Sequence, residues 1–270
     1  MALRIVSYNL NGIRSALSKG LLEWLDQQSF DIIGFQETKA WPDQVDMAPF
    51  LERGYHASWH SAEKKGYSGV LTLSRRHPDH VQAGMGIPEY DREGRILRTD
   101  YGDLTVLNCY FPSGTTGDIR QAVKMRFLED FYPWAHELRR QRPNLVIFGD
   151  YNIAHTEMDI HDPKGNKNSS GFLPEEREWM SRWFSSGFRD SFREKHPDTV
   201  GYSWWSFRAN ARANNKGWRI DYQSISDPLL GSLRAAGIEP GAVHSDHCPV
   251  WLELDVQALN IVDGKETKPA

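Results

Sequence analysis

Short apolar runs rich in β-branched and aromatic residues recur along the chain, separated by stretches with helical spacing. LRIVSYN reads as the first strand. In ALSKGLLEWLDQQ, Leu17, Leu21, Leu22 and Leu25 share one helical face. DIIGFQE is a buried strand, and YHASWHSA and SGVLTLSRR are strands joined by a turn at EKKGY. RILRTDYGDLTVLNCYF reads as a hairpin turning at Gly102-Asp103, with alternation on either side. The longest helix is predicted over residues 118–141, with Asp118 as N-cap and Gln121 three residues on. Val123, Phe127, Phe131, Trp134 and Leu138 form its apolar stripe, and Pro133, lacking an N–H, is expected to kink or split it. NLVIFGDYN is a strand, and LPEEREWMSRWFSS is a helix with Pro174 in its first turn and two acids at the positive end of its dipole. YSWWSF, WRIDYQSIS and PVWLELDV are three late strands. GKETKPA reads as a frayed end, so residues 1–256 are expected to form one domain and 257–270 a flexible tail.

Helices and strands interleave, yet several strands meet in hairpins. That pattern predicts an α/β fold with mixed sheets covered by helices. At 270 residues the chain is long enough for a sizeable core. Its net charge of −4 excludes a generally basic nucleic-acid coat, so a polyanion must be met by a local patch. Two cysteines, Cys109 and Cys248, with no CxxC motif, fit a reducing cytosol. No apolar run approaches the roughly 18 residues of a membrane span, and MALRIVSYNL has no signal-peptide pattern. A cytoplasmic protein is therefore expected.

In four places an apolar run touches oxygen-rich side chains. SYNLNG supplies Asn9 and Asn11, GFQETK supplies Glu37, FGDYN supplies Asp150 and Asn152, and HSDHCP supplies Asp246 and His247. Any one of these is adequately explained as a capped turn. Four together suggest strands converging on one polar floor, with the carboxylate and amide oxygens that a hard cation such as Mg²⁺ prefers. Asp221 lies in the apolar, aromatic GWRIDY and needs a partner. A histidine is the natural one, and an arginine such as Arg219 the alternative. From Thr199 to Ile220 there is no acid, and Arg208, Arg212, Lys216 and Arg219 interleave with Trp204, Trp205, Phe207 and Trp218. Such a stretch offers cations to phosphates and aromatic faces to bases or sugars. Lys64, Lys65, Lys164 and Lys167 add charge on Gly-containing loops.

The ordered set YNLNGIRSA, QETK, GYSGV, YFPSG, GDYNIAH, PKGNKNSSGF, NARANNKGWRIDY and SDHCPV resembles the exonuclease III-like apurinic/apyrimidinic (AP) endonucleases of the endonuclease/exonuclease/phosphatase superfamily. The resemblance implies a four-layer α/β sandwich, two packed mixed β-sheets flanked by helices, formed by residues 1–256 as a single catalytic domain. It implies hydrolysis of the phosphodiester 5′ to an abasic site in duplex DNA, dependent on Mg²⁺ with Mn²⁺ as a substitute, leaving a 3′-hydroxyl. A 3′-phosphodiesterase or 3′→5′ exonuclease activity accompanies it. Damaged double-stranded DNA is the implied partner of a monomer with no membrane or obligate protein partner, working in the cytoplasm at the nucleoid.

By this resemblance Glu37 is the main metal carboxylate, and Asn9, Asp150, Asn152 and Asp246 complete or border the metal site. Tyr110, Asp150, Asn152, Asp221 and His247 carry the catalysis, with Asp150 activating water and His247 paired with Asp221 at the phosphate. Trp204, Trp218 and Ile220 wall a pocket for the extruded abasic sugar. Lys65, Tyr67, Asn168, Arg208 and Arg212 contact DNA. Asn11 stands where some relatives carry Asp, which removes a negative charge near the metal. The loop FPSGTTGD has no Arg before Arg120, and Arg208 replaces an apolar wedge of a relative. Two other classes compete: a phosphatase or phospholipase of the same superfamily, and a non-catalytic DNA-binding module.

Overall fold

A computed structural model describes residues 2–257 and 259–261. Most of the C-terminal tail expected from GKETKPA lies outside the described residues. In chain order the strands are β1 (Ala2–Asn9), β2 (Ile32–Gln36), β3 (His56–His60), β4 (Val70–Ser74), β5 (His80–Ala83), β6 (Ile96–Tyr101), β7 (Leu104–Tyr110), β8 (Asn144–Asp150), β9 (Phe188–Asp190), β10 (Trp204–Trp205), β11 (Gly217–Trp218), β12 (Asp221–Ser226), β13 (Leu233–Ile238) and β14 (Val250–Asp255). The α-helices are α1 (Ile13–Ser18), α2 (Leu21–Asp26), α3 (Ala48–Glu52), α4 (Pro88–Asp91), α5 (Asp118–Gln141), α6 (Pro174–Ser185) and α7 (Ser191–Lys195). No helix among the described residues is long and apolar enough to cross a membrane.

The strands build two six-stranded sheets, ordered β13-β14-β1-β2-β4-β3 and β5-β6-β7-β8-β12-β9, and a small β10-β11 ribbon. β1 and β2 run parallel, as do β7 and β8. Helices α1 and α2 lie between the first pair in sequence and α5 between the second, since a parallel pair needs a crossover. The remaining pairs are antiparallel, which makes both sheets mixed.

Alternate residues of each strand face different layers. Leu3 and Ile5 of β1, Val146 and Phe148 of β8, and Leu252 and Leu254 of β14 pack between the sheets. Val6 and Tyr8 face the other way, toward Ile13, Leu21 and Leu25 of α1 and α2. Leu145 and Ile147 meet Phe127 and Phe131 of α5 and Trp179 and Trp183 of α6. The result is helix, sheet, sheet, helix, the four-layer sandwich. A Cβ on Gly34 would lie 1.8 Å from the Phe148 ring, so only glycine lets the sheets close there. A buried polar seam also joins them: Gln36 Nε2 donates to Asn108 Oδ1 at 2.7 Å, and Ser7 Oγ to Gln36 Oε1 at 3.2 Å.

Three local expectations need correction. The helix read through ALSKGLLEWLDQQ is two helices, because Gly20 adopts a left-handed φ of 89° between α1 and α2. Helix α5 has the expected bounds, but Gly117 occupies its cap and Asp118 makes no side-chain cap bond. Gln121 instead donates to Glu176 of α6. Pro133 does not end α5. It and Glu129, whose carbonyl loses its partner, are both exposed, so water solvates the gap. The strand read as WRIDYQSIS divides into β11 and β12, and strands β5, β9 and β13 were not predicted; the first two are too short to show a period.

Candidate active site

The parallel pairs β1/β2 and β7/β8 bring their carboxyl ends to one edge, where β12 begins and the loop before β14 passes. Cross-strand register sets Tyr110 beside Asp150 and Asp150 beside Asp221. Asn9 joins the two sheets: its amide nitrogen donates to Glu37 Oε1 and to Asp150 Oδ2, each at 2.9 Å. Its oxygen accepts the Asn11 N–H at 2.9 Å, which fixes the amide's orientation. Through its nitrogen Asn9 tethers the two carboxylates, and its oxygen, the atom expected to meet a metal, keeps a second lone pair.

Asn11, Glu37 and Asn152 all hold left-handed backbone, with φ of 48°, 49° and 55°. This turns Glu37 out of the β2 line, and it places Asn152 N–H on Asp150 Oδ1 at 2.8 Å. GDYN is therefore a turn and a site at once. Asn152 Nδ2 donates to Phe111 O at 2.9 Å and reaches Asp150 Oδ2 at 3.3 Å. Asp221 takes histidine, not arginine: His247 Nδ1 lies 2.9 Å from Asp221 Oδ2, and His247 Nε2 lies 3.9 Å from Asp150 Oδ2. Arg219 pairs instead with Asp159 and Asp190.

One cleft of about 740 Å³ gathers Glu37, Tyr110, Asp150, Asn152, Asn168, Trp204, Trp218, Ile220, Asp246 and His247. The rings of Trp204 and Trp218 meet edge to face at 5.9 Å and 89°. Trp204 Nε1 donates to Asp246 Oδ2 at 3.0 Å, which locks the wall to the polar floor.

The endonuclease/exonuclease/phosphatase family model matches residues 6–247. The chain belongs to that family. It is 40% identical to the exodeoxyribonuclease of Bacillus subtilis over 256 residues, covering 94% of this chain and all of that one. Among solved structures, an AP endonuclease from Archaeoglobus fulgidus superposes with a TM-score of 0.86 at 29% identity, covering 94% of this chain and 100% of that one. A Neisseria 3′ phosphatase bound to a product DNA hairpin does so with a TM-score of 0.87 at 26% identity, covering 94% and 99%. Membership makes the chain a phosphodiester hydrolase of the AP endonuclease and exonuclease branch.

For a family of metal-dependent nucleases the donor set is apt. Ligand atoms of Glu37, Asp150 and His247 lie within 4.8 Å of one another. His247 Nδ1 is engaged by Asp221, and the ring is flanked by acids that favour its charged form. That leaves carboxylate oxygens, the donors a hard divalent cation takes. Asp246 borders this set, its Oδ1 accepting from Asn11 Nδ2 at 3.0 Å and from Ser245 Oγ at 3.1 Å.

Burial and the charges around it set the protonation states. Burial alone would lower the His247 pKa, but Asp221, Asp150 and Asp246 override it and push the value up to about 10. Burial, then the charge of Asp221, raises Asp150 to about 8 against the opposing pull of His247. Tyr110 is raised well above the usual phenol range by burial and by Glu37, so it is a neutral donor. Burial works against ionised Asp246, yet the charge of His247 and bonds from Asn11 and Trp204 hold its pKa below the usual range.

Several site neighbours escaped the sequence reading. Lys39, the last residue of QETK, lies 3.0 Å from Glu37 Oε2 and donates to Asn11 Oδ1. Ser203 Oγ donates to Asp221 Oδ2 at 2.6 Å, and nothing in YSWWSF marked it. Arg95 lies buried beneath the Tyr110 ring at 4.8 Å.

The expected DNA contacts divide. Lys65, Asn168 and Arg208 are exposed. Tyr67 is half-buried, and its hydroxyl accepts from Arg95 at 2.9 Å and from Arg120 at 3.1 Å. Arg212 turns inward: it donates to the carbonyls of Ser245 at 2.8 Å and Pro240 at 2.9 Å, and to Ala242, and stacks 4.6 Å from Trp205. Three of its five N–H donors are spent on these carbonyls, so the guanidinium is anchored to the protein's own backbone. Arg212→Ala is therefore expected to lower stability by about 1–3 kcal/mol, the scale of stranding buried acceptors. Urea unfolding measures this. A parent-like midpoint with a shallower salt dependence of DNA binding would return Arg212 to the surface.

Proposed function

We propose that the chain hydrolyses the phosphodiester 5′ to an abasic site in duplex DNA, with Mg²⁺, and leaves a 3′-hydroxyl. The observation that carries this reading is the joining of two chemistries in one cleft. Glu37, Asp150, Tyr110 and His247 meet on its floor, and Trp204, Trp218 and Ile220 form an aromatic and aliphatic wall beside them. A phosphatase acting on a small ester has no need of that wall, and a binding module has no need of that floor.

In this reading His247, protonated, donates from Nε2 to a phosphate oxygen, and Tyr110 and Asn152, the latter on giving up its 3.3 Å contact with Asp150, offer further hydrogen bonds. Asp150, with its raised pKa, takes the proton of the attacking water. Glu37 and Asp150 would hold the cation, which would supply positive charge against the phosphate. The pocket wall accepts a sugar without a base, whose extrusion costs less than that of a stacked nucleotide. The family's catalytic domain spans residues 1–256, and the chain acts as a cytoplasmic monomer.

One observation favours a second reading, trimming of blocked 3′ ends. The rim Ser113–Asp118 carries no basic side chain, and the nearest, Arg120, is held by Glu93 at 3.0 Å and by Tyr67. Nothing on that rim presses into a duplex.

The test is incision of a duplex with one central abasic site, with Mg²⁺ and with EDTA, beside an undamaged duplex and one with a blocked 3′ end. Cutting at the abasic site that EDTA abolishes is the expected result. Trimming without incision makes the chain a 3′-phosphodiesterase, and activity on neither points to phosphatase substrates.

A further inference from the structure

Among the described residues, a group of buried polar atoms without a hydrogen bond lies close behind the His247–Asp221 pair: Asp190 Oδ2, Arg219 Nη1 and Nη2, Asp221 Oδ1 and Gln223 Oε1. The four residues that own these atoms line one internal cavity. Each is locked by its other atoms. Asp221 Oδ2 accepts from Ser203 Oγ and faces His247 Nδ1, so Oδ1 remains. Gln223 Nε2 donates to Ile5 O at 3.1 Å and to Val250 O at 2.7 Å, so its orientation is set and Oε1 remains. Arg219 Nε donates to Asp159 Oδ1 at 2.7 Å, and Nη2 lies 2.7 Å from Asp190 Oδ2 but off the hydrogen-bond direction.

The cavity measures about 10 Å³, the threshold for one water. Its acceptors repel an anion, and the Arg219 guanidinium opposes a bare cation. A molecule that both accepts and donates serves three of these five atoms: it takes an Arg219 N–H and gives one hydrogen to Asp221 Oδ1 and the other to Gln223 Oε1, while Asp190 Oδ2 keeps its ion pair with Arg219 Nη2.

We propose that a single buried water fills this cavity and ties the Asp221–His247 pair to the Arg219–Asp159–Asp190 cluster. Arg219 and Gln223 are then positioning residues. They hold Asp221 through the water, and Asp221 in turn orients the imidazole. The effect on rate rests on the proposed role of His247; the water itself does not.

A crystal structure at about 1.5 Å decides the water, since buried waters with about three partners are well ordered. One peak within hydrogen-bond distance of Asp221 Oδ1, Gln223 Oε1 and Arg219 is expected. A dry cavity, or a peak with short metal-like distances to the oxygens, overturns the proposal. Two variants of Val250, which also lines the cavity, then test positioning. Val250→Ile fills the space with a methyl that cannot hydrogen-bond. It is expected to expel the water and lower the single-turnover rate about tenfold, with KM unchanged, as outer partners of a catalytic imidazole commonly do. Val250→Ala enlarges the space, retains the water and keeps the parent rate at lower thermal stability. A merely structural role reverses that order, because Val250→Ala is the more destabilising change. Parent-like turnover by a Val250→Ile protein shown to have lost the water refutes the positioning role.

Discussion

Asp150→Ala is expected to lower the single-turnover rate of abasic-site incision by at least about a hundredfold, the scale of removing a positioned base. Asp150 ends β8, held by its register with Tyr110 and Asp221 and by the Asn9 amide. It is buried, and burial with the neighbouring Asp221 raises its pKa to about 8. A carboxylate so placed has far more proton affinity than an exposed one, which suits it to a water proton near neutral pH. The same shift separates activity from stability. A carboxyl whose folded pKa lies above its ordinary value contributes most to stability below about 4, and that contribution is lost as pH rises through about 8. Asp150→Asn should therefore raise the melting temperature at pH 8 in EDTA while incision with Mg²⁺ collapses. A near-parent rate in either variant would remove Asp150 from the chemistry.

His247→Ala is expected to cost a similar hundredfold or more. Its partner Asp221 is itself fastened by Ser203, so the ring has one orientation and presents Nε2 to the cleft. With a folded pKa of about 10, the imidazolium persists through neutral pH. Its contribution to stability is fully present below about 6.5 and is lost as pH rises through about 10. If Asp150 is the base and the charged ring is the phosphate donor, the rate should rise as pH passes about 8 and fall as pH passes about 10. A fall already complete near the ordinary histidine pKa, or near-parent turnover by the alanine variant, would show that the charged ring is not needed.

Much of this was legible in the chain. The oxygen-rich residues that border apolar runs, Asn9, Glu37, Asp150 and the Asp246–His247 pair, did converge on one edge of the fold. Asp221 inside an aromatic strand did demand a partner, and histidine supplied it. The four layers came from the resemblance; periodicity yields elements but not which sheet each joins. What stayed hidden depends on direction in space. The pattern around Arg212 is the same whether its guanidinium faces a phosphate or, as here, the carbonyls of Ser245 and Pro240. Asn9 offers an amide in any sequence, but its nitrogen's reach to carboxylates on both sheets does not show there. Left-handed φ at Glu37, a residue with no glycine-like freedom, leaves no trace in composition.

Gln36 ends β2 one residue before Glu37, and the buried seam joins it to Ser7 of β1 and across to Asn108 of β7. Glu37 rides on one sheet and Asp150 on the other, so sliding between the sheets would pull the two carboxylates apart. The seam acts as a dowel against that shear, and its amides should be among the last to exchange with deuterium. Two sheets pinned in this way keep Glu37 and Asp150 at one spacing, so a ligand that spans them has to come to that gauge.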